Sequence, residues 1–202
     1  MRIIVTCGPS YEPIDEVRRI TNFSTGELGL RLTRRLRAAG HDVICFRGEA
    51  ATWHDPAVAS FAFSTNDDLL AKLTAEAKAG GVDAVFHAAA LADFRVERPG
   101  TERKIASRGG NLVLALVPAT KLLGKLRGLF PAAKIVGWKY ELDGTREEAL
   151  AKGRAQISTC TTDACVVNGA AYGAGFGFLT RNGTLTHFAD KTGLSDGLTG
   201  WL

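Results

Sequence analysis

The sequence has no long uncharged apolar run, and this excludes a membrane-spanning helix. Its apolar start, Met1 to Cys7, is too short for a signal peptide, and Gly8-Pro9 follows at once. There is no Cys-x-x-Cys. Cys7, Cys45, Cys160 and Cys165 are scattered, which leaves no zinc or dithiol spacing and reads as free buried thiols in a reducing cytoplasm. His41, His54, His87 and His187 lack metal-ligand spacing as well, so no metal ligands are assigned. Excess charge is small: 25 basic against 21 acidic residues give +4. That is a mild pull on anionic ligands and too weak to argue for nucleic acid. Arg31, Arg34, Arg35 and Arg37 on one helix are accordingly read as a solvated face. No repeat, low-complexity tract or linker divides the 202 residues. One domain, 1–202, is expected, and it is long enough to bury a core of its own.

What is present is an alternation. Arg2 to Thr6 is an apolar, β-branched run typical of a strand buried on both faces. A long polar loop, Gly8 to Thr25, precedes a helix from Gly26 to about Ala39, with Leu28, Leu32 and Leu36 on one face. Asp42 to Phe46, Ala59 to Phe63 and Val82 to Ala88 read as further strands. Between the last two, Asn66 or Asp67 caps a helix running to Ala79. Leu91 to Gly110 is polar and basic and reads as a mid-chain ribbon. Asn111 to Val117 alternates as a half-exposed strand. A helix from about Ala119 to Leu129, a strand Lys134 to Trp138, a helix Thr145 to Gln156 and a strand Ala164 to Val167 follow. Phe176 to Thr180 and Leu185 to Phe188 flank Asn182-Gly183, a strong hairpin signal. The pattern predicts an α/β fold: an open, mainly parallel Rossmann-like sheet with helices on both faces, the mid-chain ribbon and a late β-hairpin. Ligands of such sheets bind at the carboxyl ends of the strands, so the loops after Thr6, Phe46, Ala88 and Trp138 are the places to look.

The first of these loops carries the most information. It contains no Gly-x-Gly-x-x-Gly, only Gly26-x-x-Gly29. Ser24, Thr25 and Gly26 fall at a helix N-terminus, where free N–H groups and the helix dipole favour an anion. The plainer alternative is an ordinary helix cap with a surface arginine nearby.

The run Gly8-Pro9-Ser10, then Glu12-Pro13-Ile14-Asp15, Val17-Arg18, Ile20-Thr21-Asn22 and Ser24-Thr25-Gly26-x-x-Gly29 closely resembles the opening of the phosphopantothenoylcysteine synthetase family, the ligase domain that bacteria often fuse to a decarboxylase. The resemblance continues at Ala88-Ala89-Ala90-Leu91-Ala92-Asp93-Phe94, Arg103-Lys104-Ile105, Leu114 to Pro118, Val136-Gly137-Trp138 to Glu141 and Asp163 to Asn168. It implies nucleotide-dependent joining of 4'-phosphopantothenate to cysteine through an acyl-nucleotide, with CTP or ATP as cosubstrate and Mg2+ as its counter-ion. Residue by residue it implies catalytic roles for Asn22, at the acyl group, and Lys104, at the triphosphate. Arg18, Ser24, Thr25, Gly26, Ala89 and Ala90 would contact the acid substrate. Asp93, Lys104, Pro118, Ala119, Thr120, Lys121, Trp138 and Lys152 would contact the nucleotide. It further implies a cytoplasmic homodimer in which a ribbon reaches across to the partner's site. Because no decarboxylase segment precedes Met1, any decarboxylase is expected on a separate chain.

Three departures from the family pattern touch the nucleotide side. Ala106 stands where a second ribbon lysine is usual, Ala119 replaces an acid, and Gln156 occupies a lysine position; Arg154 or Lys121 is the candidate replacement cation. They keep open a second reading, an altered relative that binds a phosphopantothenate-like ligand without efficient catalysis. A third reading, a short-chain NADP reductase with Arg47 on a 2'-phosphate, requires a glycine-rich first turn and a Tyr-x-x-x-Lys pair, and the sequence has neither.

Overall fold

The computed structural model describes residues 1–97, 103–106, 108 and 110–202. Five helices cover the faces of an eight-stranded sheet. Strands β1 (Arg2–Cys7), β4 (Asp42–Gly48), β5 (Phe61–Phe63), β6 (Ala84–His87), β9 (Lys134–Tyr140) and β10 (Ala164–Asn168) are parallel and lie in the order β5-β4-β1-β6-β9-β10. The late hairpin, β11 (Phe176–Thr180) and β12 (Leu185–Phe188), extends the β10 edge in antiparallel sense. The parallel strands thus follow the doubly wound order of a dinucleotide fold, with the strand order reversing between β1 and β6.

The period of the apolar residues decides which face each strand feeds. Ile3, Val5, Phe86, Val136 and Val166 pack under α1 (Glu27–Ala38) and α5 (Lys191–Trp201). Ile4, Phe46, Val85 and Ile135 pack under α2 (Asn66–Ala79) and α3 (Leu123–Leu129). Cys165, Val167 and Leu179 meet α4 (Arg146–Cys160). In α1 the buried side chains include Leu30, Leu32 and Leu36, with Leu28 only partly covered. Fully burying each such leucine contributes about 1.5–3 kcal/mol.

Several expectations need correction. The cap of α2 is Thr65, whose side chain accepts from Asp68 N, and not Asn66 or Asp67. The first loop is not plain coil: β2 (Tyr11–Pro13) and β3 (Arg19–Thr21) form a small hairpin within it. Three-residue strands are too short to show a period. Of the strand expected at Asn111 to Val117, only Leu116 and Val117 are in strand, as part of β8 (Leu116–Pro118), paired with β7 (Phe94–Val96). The helix expected from Ala119 begins at Leu123, which leaves Ala119, Thr120 and Lys121 in a loop. α5 carries Gly193, Gly197 and Gly200 and was not anticipated, because glycine masks helix propensity. The expected ribbon over Leu91 to Gly110 includes residues 98–102, 107 and 109, which lie outside the described residues.

Candidate active site

The switch point is assembled from two segments that leave β1 and β6 side by side. Ala88 N donates to Thr6 O (3.0 Å), Ala90 N to Gly8 O (3.0 Å) and Ser10 N to Ala90 O (3.2 Å), so the ladder continues past the strand ends. The fully buried Ser10 hydroxyl accepts from Ala92 N at 2.8 Å. Beneath them, His87 Nδ1 lies 2.7 Å from Thr6 Oγ1. Burial pulls the His87 imidazole down to about 4, so it is neutral near pH 7. It is a satisfied packing group at the floor of the site.

The first loop folds onto this floor. Asn22 is exposed, and its Nδ2 donates to Leu91 O at 2.9 Å, with Ala90 O at 3.5 Å. The structure therefore brings Asn22 together with the Ala89–Ala90 segment, 68 residues away from it in the chain. Glu12 is buried against the start of α2. Burial raises its carboxyl above the ordinary range, with Asn66 N–H and Arg95 opposing the rise and Asp67 adding to it.

Arg18 is not a free surface arginine. Its Nη1 donates to Asp15 Oδ2 (2.8 Å) and to Ile105 O (3.1 Å). Asp15, whose side chain is wholly covered, also accepts from Val17 N, Arg18 N and Ile105 N. Burial works against its charge, but the N–H donors of Ile105, Val17 and Arg18 outweigh it and hold the carboxyl below the ordinary range.

At the start of α1, Gly26 is the cap residue, with φ 78°, in the left-handed region. No side chain caps this helix. Thr25 Oγ1 only reaches Glu27 N at 3.3 Å. One turn on, a Cβ at Gly29 would lie 2.2 Å from Cys7 Cβ, so the helix sits on β1 at the distance only glycine permits. The close helix–strand contact of a dinucleotide fold is therefore present, although its fingerprint is interrupted by the inserted loop.

The residues assigned to the nucleotide fall in four places. Asp93 pairs with Lys121, and Asp93 O accepts from Ala119 N at 2.9 Å. Asn66, buried, donates to Ala92 O (2.8 Å) and Thr120 O (3.0 Å), which ties Pro118 to Lys121 against the strand-end segment. Lys152 lies apart, on α4, paired with Glu141, which also holds Lys139 at 3.1 Å. Lys152, then Lys139, hold the Glu141 carboxyl below its ordinary range, and Glu141 in turn raises Lys152. Trp138 belongs to the opposite face, with Leu28 and Phe176 around the core under α1 and α5; its buried indole N–H has no partner among the described residues. Lys104 is exposed on the segment that Asp15 holds.

The departures acquire a physical reading. Gln156 turns inward, donating to Cys165 Sγ at 3.2 Å and lying over Gly137, so its position is a packing position. Arg154 lines a groove with Thr161, Arg181 and Gly183, beside the late hairpin. Lys121 is the added cation that the geometry brings to Asp93. Arg47 donates to Ala51 O (2.5 Å) and Trp53 O (3.0 Å) and so is spent on its own loop, which removes the anchor of the reductase reading.

The sequence assigned no ligand-site role to Asp15, Ser10 or Asn66, the last expected only as a helix cap. For Asp15 the spacing of three from Arg18 was an available signal, whereas Ser10 and Asn66 act on segments 82 and 26 residues away and left none.

Fold and site together define a doubly wound α/β protein with a polar, ligand-facing surface at the switch point of its sheet. A family model, the DNA/pantothenate metabolism flavoprotein C-terminal domain, matches residues 1–195, and the chain belongs to that family. It is 33% identical to the coenzyme A biosynthesis bifunctional protein CoaBC of Thermococcus kodakarensis over 83% of this chain, which corresponds to 41% of that protein. The chain thus spans less than half the length of that relative. The crystal structure of a DNA/pantothenate metabolism flavoprotein from Streptococcus pneumoniae superposes with a TM-score of 0.85 over 100% of this chain and 97% of that one, at 22% identity. A Cab2 variant solved in complex with phosphopantothenate-cysteine superposes with a TM-score of 0.76 over 98% and 83%, at 19% identity. At those identities the two structures speak for the fold. No helix among the described residues is long and apolar enough to cross a membrane, and no group of three or more His, Cys, Asp or Glu among them is placed to hold a metal ion.

Proposed function

We propose that this chain is a phosphopantothenate–cysteine ligase. The substrate carboxylate attacks the α-phosphorus of CTP or ATP, the bond to the β-phosphate breaks, and pyrophosphate leaves. The amine of cysteine then displaces the nucleoside monophosphate and gives up a proton as the amide forms. The observation that carries the reading is the junction of Asn22 with the Ala89–Leu91 segment at the switch point. It sets an uncharged amide donor beside a backbone surface made of small residues. An amide there can bind an acyl oxygen as it gains charge, without adding a charge of its own.

Arg18 stands three residues before the β3 end and supplies the cation on the acid side, while Ser24, Thr25 and Gly26 offer an uncapped helix start to an anion. On the nucleotide side, Lys104, Lys121 and Lys152 supply positive charge, with Pro118, Ala119 and Thr120 shaping the wall. Magnesium fits as the counter-ion of the triphosphate, since such sites use one or two carboxylates plus phosphate oxygens. Asp93 would be the carboxylate that holds it. The ion would neutralise charge on the leaving pyrophosphate.

The working unit in this reading is a cytoplasmic homodimer. Exposed Phe94, Leu112, Val113 and Leu116 along the β7–β8 ribbon support a covered surface there. Its partners are small molecules, together with a decarboxylase that supplies the next step on another segment or chain. An end-point assay with 4'-phosphopantothenate, cysteine, magnesium and each nucleotide in turn tests the proposal. Amide product with one nucleotide supports it and names the nucleotide. No product with any of them, from a folded chain, overturns it in favour of an altered relative that only binds.

A further inference from the structure

Asp15 is placed to do more than hold a turn. Its carboxylate is buried, and both oxygens are used on two different segments. Oδ1 accepts from Val17 N (2.8 Å) and Arg18 N (2.7 Å) and so fixes the loop. Oδ2 accepts from Arg18 Nη1 (2.8 Å) and from Ile105 N (3.1 Å), 90 residues later. Arg18 Nη1 closes the ring by donating to Ile105 O at 3.1 Å. Glu16 adds two outer contacts, its N to Arg103 O (3.2 Å) and its carboxylate to Arg103 Nε (3.0 Å), but that pair is exposed and worth little. The buried carboxylate, with charge-assisted bonds to backbone and guanidinium, is the strong joint.

The geometry assigns Asp15 as a positioning residue that holds the acid-side cation Arg18 and the nucleotide-side cation Lys104 in one fixed relation. This rests on the ligase reading above for its consequence, though not for the contact itself. Lys104 adjoins Ile105, so the one N–H that Asp15 holds sets where the Lys104 backbone lies. Arg18 cannot swing away while Oδ2 holds its guanidinium. An acyl phosphate bond forms between a carboxylate on one side and a phosphorus on the other, so a joint between the two sides fixes the reacting distance.

Two variants separate the branches. Asp15→Asn removes the charge and turns the oxygen that accepts from Arg18 Nη1 and Ile105 N into a donor, so those two bonds are lost. Ile105→Pro removes the N–H that reaches Asp15, because proline has none, and restricts the Lys104 backbone, while the Arg18 bond to Asp15 stays in place. The first measurement needs no substrate: trypsin cleavage after Arg103, followed by mass spectrometry. Losing a hydrogen bond to a buried charge should speed cleavage by about tenfold or more in both variants, with Glu16→Gln changing it little. The second is pyrophosphate release, read as KM and kcat. Asp15→Asn should raise KM for the acid and lower kcat, whereas Ile105→Pro should lower kcat alone. Lys104→Gln added to Asp15→Asn should cost far less than in the parent, since a lysine already out of place has little left to lose. Global weakening of the fold would leave the two costs additive. Unchanged cleavage in both variants overturns the joint whatever the activity is. Faster cleavage with fully additive kinetics overturns its positioning role. Faster cleavage in a chain with no ligase activity leaves the joint standing and removes the ligase reading alone.

Discussion

In the proposed ligase reading the switch point has an acid side and a nucleotide side, and the two are built differently. On the acid side, Ser10, Asp15, Asn22 and Arg18 are tied by directed bonds to backbone groups distant in sequence, and Gly29 seats the helix directly on β1. On the nucleotide side, cations are paired with acids: Lys121 with Asp93, both exposed, and Lys152 with the partly buried Glu141. The buried members of the first arrangement, Ser10 and Asp15, are preorganised and break only with loss of structure, whereas the exposed Asn22 adds little to stability. The second can exchange partners at low cost, because an exposed ion pair contributes about 0–1 kcal/mol. In that reading a triphosphate would take Lys121 from Asp93 and leave that carboxylate for magnesium. Two of the departures from the family pattern have a physical counterpart: Gln156 packs inward against Cys165, and Lys121 stands beside Asp93 in the loop that carries Ala119.

The sharpest way to break the comparison is at Asn22. Asn22→Ala is expected to cut amide formation by ~10²–10³, the usual effect of removing one oxyanion donor, with the melting temperature nearly unchanged because the side chain is exposed. A variant that makes product at the parent rate would remove Asn22 from the chemistry and with it the special standing of the acid side.

Gly29→Ala should be the most damaging change to the fold itself. Its Cβ would lie 2.2 Å from Cys7 Cβ, so α1 must move off β1, at a cost of about 3 kcal/mol or more. Urea denaturation reads it. A midpoint within error of the parent would mean that the helix start is loosely held, contrary to the contrast drawn here.

The floor of the site gives a pH test of similar size. The His87 imidazole stands at about 4 in the folded chain against an ordinary 6.5. A depressed base means that the unfolded chain binds the proton more readily, so stability is complete above pH 6.5 and falls as the pH drops towards 4. The loss is about 3 kcal/mol over that window. His87→Asn should flatten this part of the stability profile. An equally steep fall in the variant would assign it to other groups.

The smallest effect is expected on the nucleotide side. Lys121→Ala should change stability by less than about 1 kcal/mol, since both partners in its pair with Asp93 are exposed. It should raise the nucleotide KM while leaving KM for the acid alone. Equal rises in both would show that the two sides are not separate. A change of several kcal/mol in stability would show that the surface pairs are structural.

Much of this was already legible in the amino-acid order. Runs such as Ile3-Ile4-Val5 and Val85-Phe86 exclude water on both faces, and the helical spacing of Leu32 and Leu36 marks a one-sided helix, so alternation of strands and helices follows from local chemistry. The long motif from Gly8 to Gly29 marked the acid side for the same reason: its residues are neighbours in the chain. What the tertiary structure alone decided are the relations between segments. The strand order reversing between β1 and β6, the buried Ser10 and Asn66 holding the Ala92 backbone, Gln156 turning inward, and Asp15 joining Arg18 to Ile105 depend on groups far apart in sequence. Short strands such as β2, β3 and β8 belong with them, since three residues carry no period and form only because a partner strand and a packed face wait for them.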